Sequence, residues 1–188
     1  MKGLQVANMA LDLLGVERIS SLNDPTRFAK AVATSLPVAL DEVLRSYDWP
    51  FAIKHIVPTV DESAGPYLGY IYAYKLPSDC VSVISFGNSN YKTAGQYIYS
   101  NLAPESDGAG PVLEYISMPD IDNDDLPPVF GQLSAMYLAY LMADIVGRGD
   151  RAALLKSRYD MALSNMITRD SNNYRAQDMS NEKSFIDY

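Results

Sequence analysis

Two residue types that build most metal and catalytic sites are nearly missing from this chain. Its 188 residues include one cysteine, Cys80, and one histidine, His55. A single cysteine excludes an intrachain disulfide and a cysteine zinc cluster. A single histidine removes most histidine-based metal and triad chemistry. No apolar run is long enough to span a bilayer, so no membrane partner is expected. The start, Met1-Lys2-Gly3-Leu4, lacks the long apolar core of a signal peptide. There is no phosphate-cradling glycine loop, no internal repeat and no low-complexity tract. Lys and Arg are absent between Lys92 and Arg148. The net charge of −8 disfavours a tight, non-specific grip on DNA, which requires phosphate neutralisation.

What is present is an ordinary globular composition, 48% hydrophobic and 20% charged. A chain of this length suits one domain, or one domain with an elaborated insertion. The sharpest break in pattern lies at Asp41 to Ala52, which holds the sole tryptophan. Val43, Leu44 and Tyr47 recur at helical spacing. Pro50 cannot continue that helix and pushes Trp49 towards an extended conformation. Phe51, Ile53 and Val57 then read as strand. Trp49, Pro50 and Phe51 are therefore expected to form the hinge between a helical layer and a β layer, with both aromatic rings buried.

Before that hinge, Leu4, Ala7, Leu11 and Leu14 predict a first helix over residues 2–14, closed by Gly15. Asp24-Pro25 predicts the start of a second, with Asp24 as N-cap and the helix running to about Tyr47. Pro37 falls inside it and should kink or split it. The middle predicts strands at residues 51–59, 67–77 and 80–86, with two more at 96–99 and 112–116. Tyr70, Tyr72 and Tyr74 alternate onto one face of the second strand. Leu126-Pro127-Pro128 opens a third helix to about Val146, apolar nearly all round, which belongs in a core or between subunits. A fourth helix, residues 151–169, buries Leu155, Tyr159, Ala162, Leu163 and Met166 on one stripe. From Asp170 onward periodicity is lost, and residues 171–188 read as an extended arm ending in Phe185, Ile186 and Tyr188.

The fold class is thus α+β. A bundle of about four helices (1–50 and 126–170) carries a β-sandwich-like insertion (51–125), followed by the arm (171–188). No catalytic set emerges, no cofactor is expected, and the chain reads as a non-enzyme. Asp120, Asp122 and Asp124 mimic the start of a calcium loop. Asp125, however, occupies the position that needs glycine, and Gly131 the position that needs the bidentate acid. Cys80 reads as a small buried hydrophobe, with His55 the only base available to it. Charge is split. Eight acids, including Asp120, Asp122 and Asp124, fill the stretch without Lys or Arg, and Arg148, Arg151 and Arg158 follow it. Such edges suit a heterologous contact between copies, alongside the plainer reading of two solvated faces.

Four strings, taken in order, resemble the head-to-tail adaptor family of tailed bacteriophages, called tail tubular protein A in short-tailed phages. They are Ala10-Leu11-Asp12-Leu13-Leu14-Gly15-Val16; Asp41-Glu42-Val43-Leu44-Arg45-Ser46 leading into Trp49-Pro50-Phe51-Ala52; Tyr72-Ala73-Tyr74-Lys75-Leu76-Pro77-Ser78-Asp79-Cys80; and Leu126-Pro127-Pro128-Val129-Phe130. Pro37 departs from the uninterrupted helix expected there. The resemblance implies a virion protein of the neck, assembled in the host cytoplasm. It implies a homo-oligomeric ring, typically a dodecamer, between the portal protein and the tail tube or nozzle, with a channel that DNA passes without specific binding. It also implies portal docking through C-terminal residues, here Phe185, Ile186 and Tyr188. From the residues themselves two alternatives stand. One is a glycan- or receptor-binding β module on a helical stalk, using Tyr70, Tyr72 and Tyr74. The other is a small hydrolase using Cys80 and His55.

Overall fold

In the computed structural model the described residues are 1–104, 110–121 and 125–184, with side chains to Asp170. The chain is α+β and divides into two compact units, Met1–Val43 with Ile121–Tyr188, and Leu44–Asp120. The second unit is thus an insertion within the first, displaced by a few residues from the boundaries the sequence suggests.

The helical unit contains α1 (Gly3–Leu14), α2 (Arg27–Arg45, whose last two residues belong to the other unit), α3 (Pro128–Met142) and α4 (Ala152–Ser184). Val6, Ala7, Ala10, Leu11 and Leu14 put one face of α1 in the core. Gly15 ends that helix at φ 68°, and its N–H reaches the Asp12 carbonyl. That is the left-handed cap glycine favours. The next loop is pinned by Asn8, whose amide donates to the Ile19 carbonyl at 3.0 Å and accepts from the Ile19 N–H at 2.9 Å.

At the start of α2 the structure corrects the expected cap. The Asp24 carboxylate accepts from the Ser20 and Ser21 N–H groups, both at 2.9 Å, and so closes the preceding loop. Thr26 is the cap instead, its hydroxyl oxygen accepting from the Ala29 N–H at 3.2 Å. Pro37 sits inside α2 without splitting it. Its missing N–H leaves only the Ala33 carbonyl without an intrahelical donor, and Leu36, Ala39 and Leu40 on either side stay buried.

Pro128 occupies the first turn of α3. This helix packs against both α1 and α4. Phe130, Leu133, Leu138 and Met142 are buried. Much of α3 thus lies in the core of its own unit, while Val129 near its start is 48% exposed. The helix ends at Met142, short of Val146, in a turn where Gly147 has φ 75° and the Arg148 N–H reaches the Ala143 carbonyl.

The expected stripe on α4 is only partly covered. Leu155 and Tyr159 are buried, but Ala162, Leu163 and Met166 are half-exposed. The helix does not stop near Arg169. It continues to Ser184, so the backbone expected to form an extended arm is helical to that point. The reason is cooperativity. A helix nucleated by buried Leu155 and Tyr159 needs only propagation to continue, and propagation does not require an apolar stripe. Residues 185–188 lie outside the described part.

Among the described residues the inserted unit holds six strands in two antiparallel sheets. One has the order β1 (Ile53–Ile56), β6 (Leu113–Ser117), β3 (Cys80–Phe86). The other has the order β2 (Tyr72–Lys75), β5 (Tyr97–Ser100), β4 (Tyr91–Ala94). A single core joins them. Tyr74 and Ile98 come from one sheet, and Phe86, Leu113 and Tyr115 from the other. That is the sandwich arrangement. β4 was not legible in the sequence. It pairs with β5 across Gly95-Gln96, with Gly95 at φ 59°.

The strand expected from Phe51 starts two residues later. Pro50–Ala52 form a 3₁₀ turn, because proline fits the first position of a helical turn. The strand expected over residues 67–77 is likewise shortened to β2. Ahead of it the chain makes a tight reversal, with the Tyr67 N–H on the Tyr70 carbonyl at 3.1 Å and the Tyr70 N–H on the Tyr67 carbonyl at 2.9 Å. Leu68 (φ 48°) and Gly69 (φ 87°) fill its two central positions. Positive φ at both marks a type I′ turn, which ordinarily takes Asn or Gly. Holding leucine there costs about 1–2 kcal/mol relative to glycine.

Candidate functional site

Of the hinge residues, Trp49 is 5% exposed and carries an extended ψ of 115° ahead of Pro50, as expected. Its ring meets Tyr47 edge-on at 5.3 Å and Phe51 at 6.1 Å. Phe51 corrects the expectation. It is 39% exposed, because the 3₁₀ turn places it on the outer side of Trp49 rather than on the inward face of a strand.

Arg148 and Arg158 are exposed. Arg151 is half-buried, and its Nη1 donates to the Leu13 carbonyl at 3.2 Å, so part of its capacity serves its own bundle. Asp120 is exposed, whereas Asp122, Asp124, Phe185, Ile186 and Tyr188 lie outside the described residues.

Of the tyrosine row, Tyr74 is withdrawn from the surface, while Tyr70 and Tyr72 are half-buried. Tyr74 is 1% exposed, and its hydroxyl donates to the Leu102 carbonyl at 2.7 Å. Tyr72 packs against the same core, and Tyr70 closes the type I′ turn before the strand begins.

Cys80 and His55 are not brought together either. They lie on β3 and β1, on opposite sides of β6. Cys80 pairs with Ser117 and His55 with Glu114. An offset of three residues places them on opposite faces of the sheet. Burial pushes the Cys80 thiol above its ordinary pKa, Asp79 adds to this, and Arg45 only opposes it. Such a thiol is a poor nucleophile at neutral pH. His55 Nε2 is exposed, 3.3 Å from a Glu114 carboxylate oxygen. Among the described residues no group of His, Cys, Asp and Glu could hold a metal ion, and no helix is long and apolar enough to cross a membrane.

The polar chemistry that does converge is structural. Lys54 Nζ meets Asp79 Oδ2 at 2.8 Å, and the Tyr115 hydroxyl donates to Asp79 Oδ1 at 3.2 Å. Burial pushes the Asp79 carboxyl up, but Lys54 and Tyr115 together hold it below the usual carboxylate range. A carboxyl lowered in the fold contributes stability above its unfolded pKa of about 4 and loses it as pH falls through the folded value. Asp79→Asn is therefore expected to flatten the fall in thermal stability between about pH 5 and pH 2, where the wild type loses this contribution. Melting curves across that range check it, and parallel curves for the two proteins would refute it.

Two surface features were not read from the sequence, because both depend on packing. One is a cleft of about 350 Å³ between α3 and α4. Val129, Leu133, Met136, Ala162 and Met166 line it together with the polar Gln132, Asn165, Arg169 and Asp170. The other is the apolar turn. Leu68 is 73% and Ile71 64% exposed, while Tyr67 stacks on Tyr99 at 4.7 Å and anchors the base. Gly69 was the sequence signal for a turn there, hidden inside a run of β-forming tyrosines. Set against known proteins, the chain is matched by no family model, and no curated protein shows a significant match to it.

Proposed function

We propose that the chain is a structural virion protein, a head-to-tail adaptor that forms a ring between the portal and the tail tube or nozzle. The observation that carries this reading is the order of its parts. A helical bundle is interrupted once, between α2 and α3, by a β sandwich, and the four strings that resemble the adaptor family fall at α1, at the exit of α2, at β2–β3 and at the entry to α3. The basic residues Arg148 and Arg158 would face acids of a neighbouring copy. An acidic protein also suits a DNA channel, since a repulsive wall lets DNA pass without sticking. The alternative, a glycan- or receptor-binding β module, is the weaker reading. It needs three exposed tyrosines, and Tyr74 lies in the core.

The docking residues in this reading are Phe185, Ile186 and Tyr188, which follow α4 in the sequence. These residues would dock on the portal and carry most of the contact energy. Deleting 182–188 is expected to leave the thermal transition of the isolated chain unchanged and to abolish attachment to portal-bearing capsids. Images of the neck assembled from wild-type chain should show a ring of density below the portal. Capsids that never retain the wild-type chain would sink the adaptor reading. A truncated chain that binds at full strength would sink only the docking role of the tail.

A further inference from the structure

We propose that the open side of the β sandwich, between the free edges of β3 and β4, takes an extended segment of a partner protein, paired to those edges through its backbone. The site lies wholly within the inserted unit, Leu44–Asp120, and does not depend on the adaptor reading.

The two sides of the sandwich are finished differently. On one side the chain leaves β1 and runs along β2. The Asp61 N–H bonds the Ala73 carbonyl at 2.8 Å, and the Lys75 N–H bonds the Thr59 carbonyl at 3.1 Å. Between them Val60 bridges to Tyr74 and packs its side chain against the common core. Residues 59–61 thus close that side as a short extra strand, with backbone on the edge and one apolar side chain inside. The opposite side has no such closure among the described residues. β3 and β4 are the outer strands of their sheets, paired only with β6 and β5. Residues 81–85 and 91–94 make no backbone hydrogen bond outside those ladders.

Between the two edges lies a groove of about 490 Å³. Leu76, Cys80, Val83 and Tyr91 line it, and each is a half-exposed residue packed against the sandwich core. The core is therefore uncovered here, where Val60 covers it on the other side. Unpaired N–H and C=O groups at strand spacing are matched by another extended backbone, the mode by which a peptide adds to a sheet edge. Edges are ordinarily guarded by charge, proline or bulges. Residues 80–86 carry no charge and no proline. β3 is bulged between Cys80 and Ser82 and between Val83 and Ser85, which bends the strand and limits a partner to a short run of pairs. Lys92 of β4 does not line the groove, whereas its neighbours Tyr91 and Thr93 do.

Charge specifies the occupant further. Arg45 is the only charged residue among the described residues lining the groove, and it acts on the Cys80 thiol at the start of β3. Asp79 beside Cys80 is engaged by Lys54 and Tyr115. A carboxylate on the incoming segment would meet Arg45 favourably, and an ammonium would not. The fitting partner is thus a short extended segment with an apolar residue flanked by Asp or Glu. Val60-Asp61 has that composition on the closed side.

Pairing over so few residues is weak, so dissociation constants between about 10 μM and 1 mM are expected. The probe is a library of random seven-residue peptides, displayed and panned against the full chain. Enriched sequences should alternate apolar residues and carry Asp or Glu on one flank. The tightest binder, added as free peptide, should slow amide exchange at residues 81–85 and 91–94 by at least ~10-fold, and not elsewhere. Thr93 is exposed, so Thr93→Trp should fill the groove without lowering the melting temperature, and should weaken peptide binding at least ~10-fold. Arg45→Glu should weaken acidic peptides and favour versions with Lys in place of the acid. A library that enriches nothing overturns the proposal. So does a bound peptide that protects other amides, or a folded Thr93→Trp chain that binds at full strength. Binding indifferent to Arg45→Glu removes the acidic preference. All of this is read on the isolated chain. Capsids that never retain the chain would therefore remove the adaptor reading and leave this one standing, and failure here would leave the adaptor reading untouched.

Discussion

Trp49→Ala is expected to lower stability by about 3–5 kcal/mol, the range for truncating a large buried aromatic side chain. Three features of the site support a value at the upper end. The indole is 5% exposed, so almost all of its apolar surface is out of water. It is held between Tyr47 at 5.3 Å and Phe51 at 6.1 Å, and removing it strips partners from both. The backbone is also fixed there. The Trp49 N–H bonds the Tyr47 carbonyl at 3.0 Å, and the Trp49 carbonyl accepts from the Ala52 N–H at 2.9 Å, so the turn cannot readily collapse into the void. The unfolding must be followed by far-ultraviolet circular dichroism, because the variant has no other tryptophan to report. Trp49 belongs to the inserted unit, and the effect should appear in the transition of that unit if the two units unfold separately. A loss below about 1 kcal/mol would mean that the ring contributes little packing and would refute its role as a buried pin. Phe51→Ala should cost much less, since 39% of that side chain already faces solvent.

The contrast between Trp49 and Phe51 shows where sequence reasoning succeeds and where it stops. Pro50 dictated the helix exit and the extended backbone before it, and both are found. What Pro50 does after itself was ambiguous. Proline suits the first position of a helical turn as well as the start of a strand, and the 3₁₀ choice rotates Phe51 outward. The same ambiguity operated at Asp24-Pro25. The pair matches a cap signal, but the Ser20 and Ser21 N–H groups take the carboxylate, and Thr26 caps the helix instead. Gly15, Pro128 and the run Cys80–Phe86 were read correctly because a single local rule decided each one. β4 was missed because Tyr91, Lys92, Thr93 and Ala94 include no fully buried residue, which leaves no alternation to detect. The helical run of α4 past Arg169 was missed for a related reason. Periodicity needs apolar residues to recur, and residues 171–184 hold too few of them to form a stripe. The candidate contact surfaces lay further from view. A cleft exists only once α3 and α4 pack, and the exposure of Leu68 follows from a φ angle that no composition rule assigns to leucine.

Tyr74 separates a packing role from a recognition role most sharply, and two substitutions there should give different losses. Tyr74→Ala is expected to cost about 3–5 kcal/mol, because the ring fills the space where the two sheets meet. Phe86 lies 4.9 Å away at a tilt of 57°, and Ile98, Leu113 and Tyr115 complete the cluster. Tyr74→Phe keeps the ring and removes only the hydroxyl. The Leu102 carbonyl, its partner at 2.7 Å, then loses a donor, and the cost should be about 1–2 kcal/mol. The pair of variants thus divides burial from hydrogen bonding at one position. Alkaline pH offers an independent check. Burial raises the Tyr74 phenol above its ordinary pKa of 10.0, and neighbouring Tyr72 adds to the shift. A group raised by folding contributes stability that is complete below its unfolded pKa and is lost as pH climbs through the folded one. The wild type should therefore weaken above about pH 10, and Tyr74→Phe should weaken less steeply, with Tyr115 and Tyr137, also raised by burial, keeping part of the slope. A surface tyrosine used for recognition would behave otherwise. Its replacement by alanine would leave stability within about 0.5 kcal/mol of wild type, and its alkaline slope would be unchanged by the phenylalanine. Denaturant unfolding of the two variants at neutral pH, repeated for wild type and Tyr74→Phe near pH 11, distinguishes these outcomes.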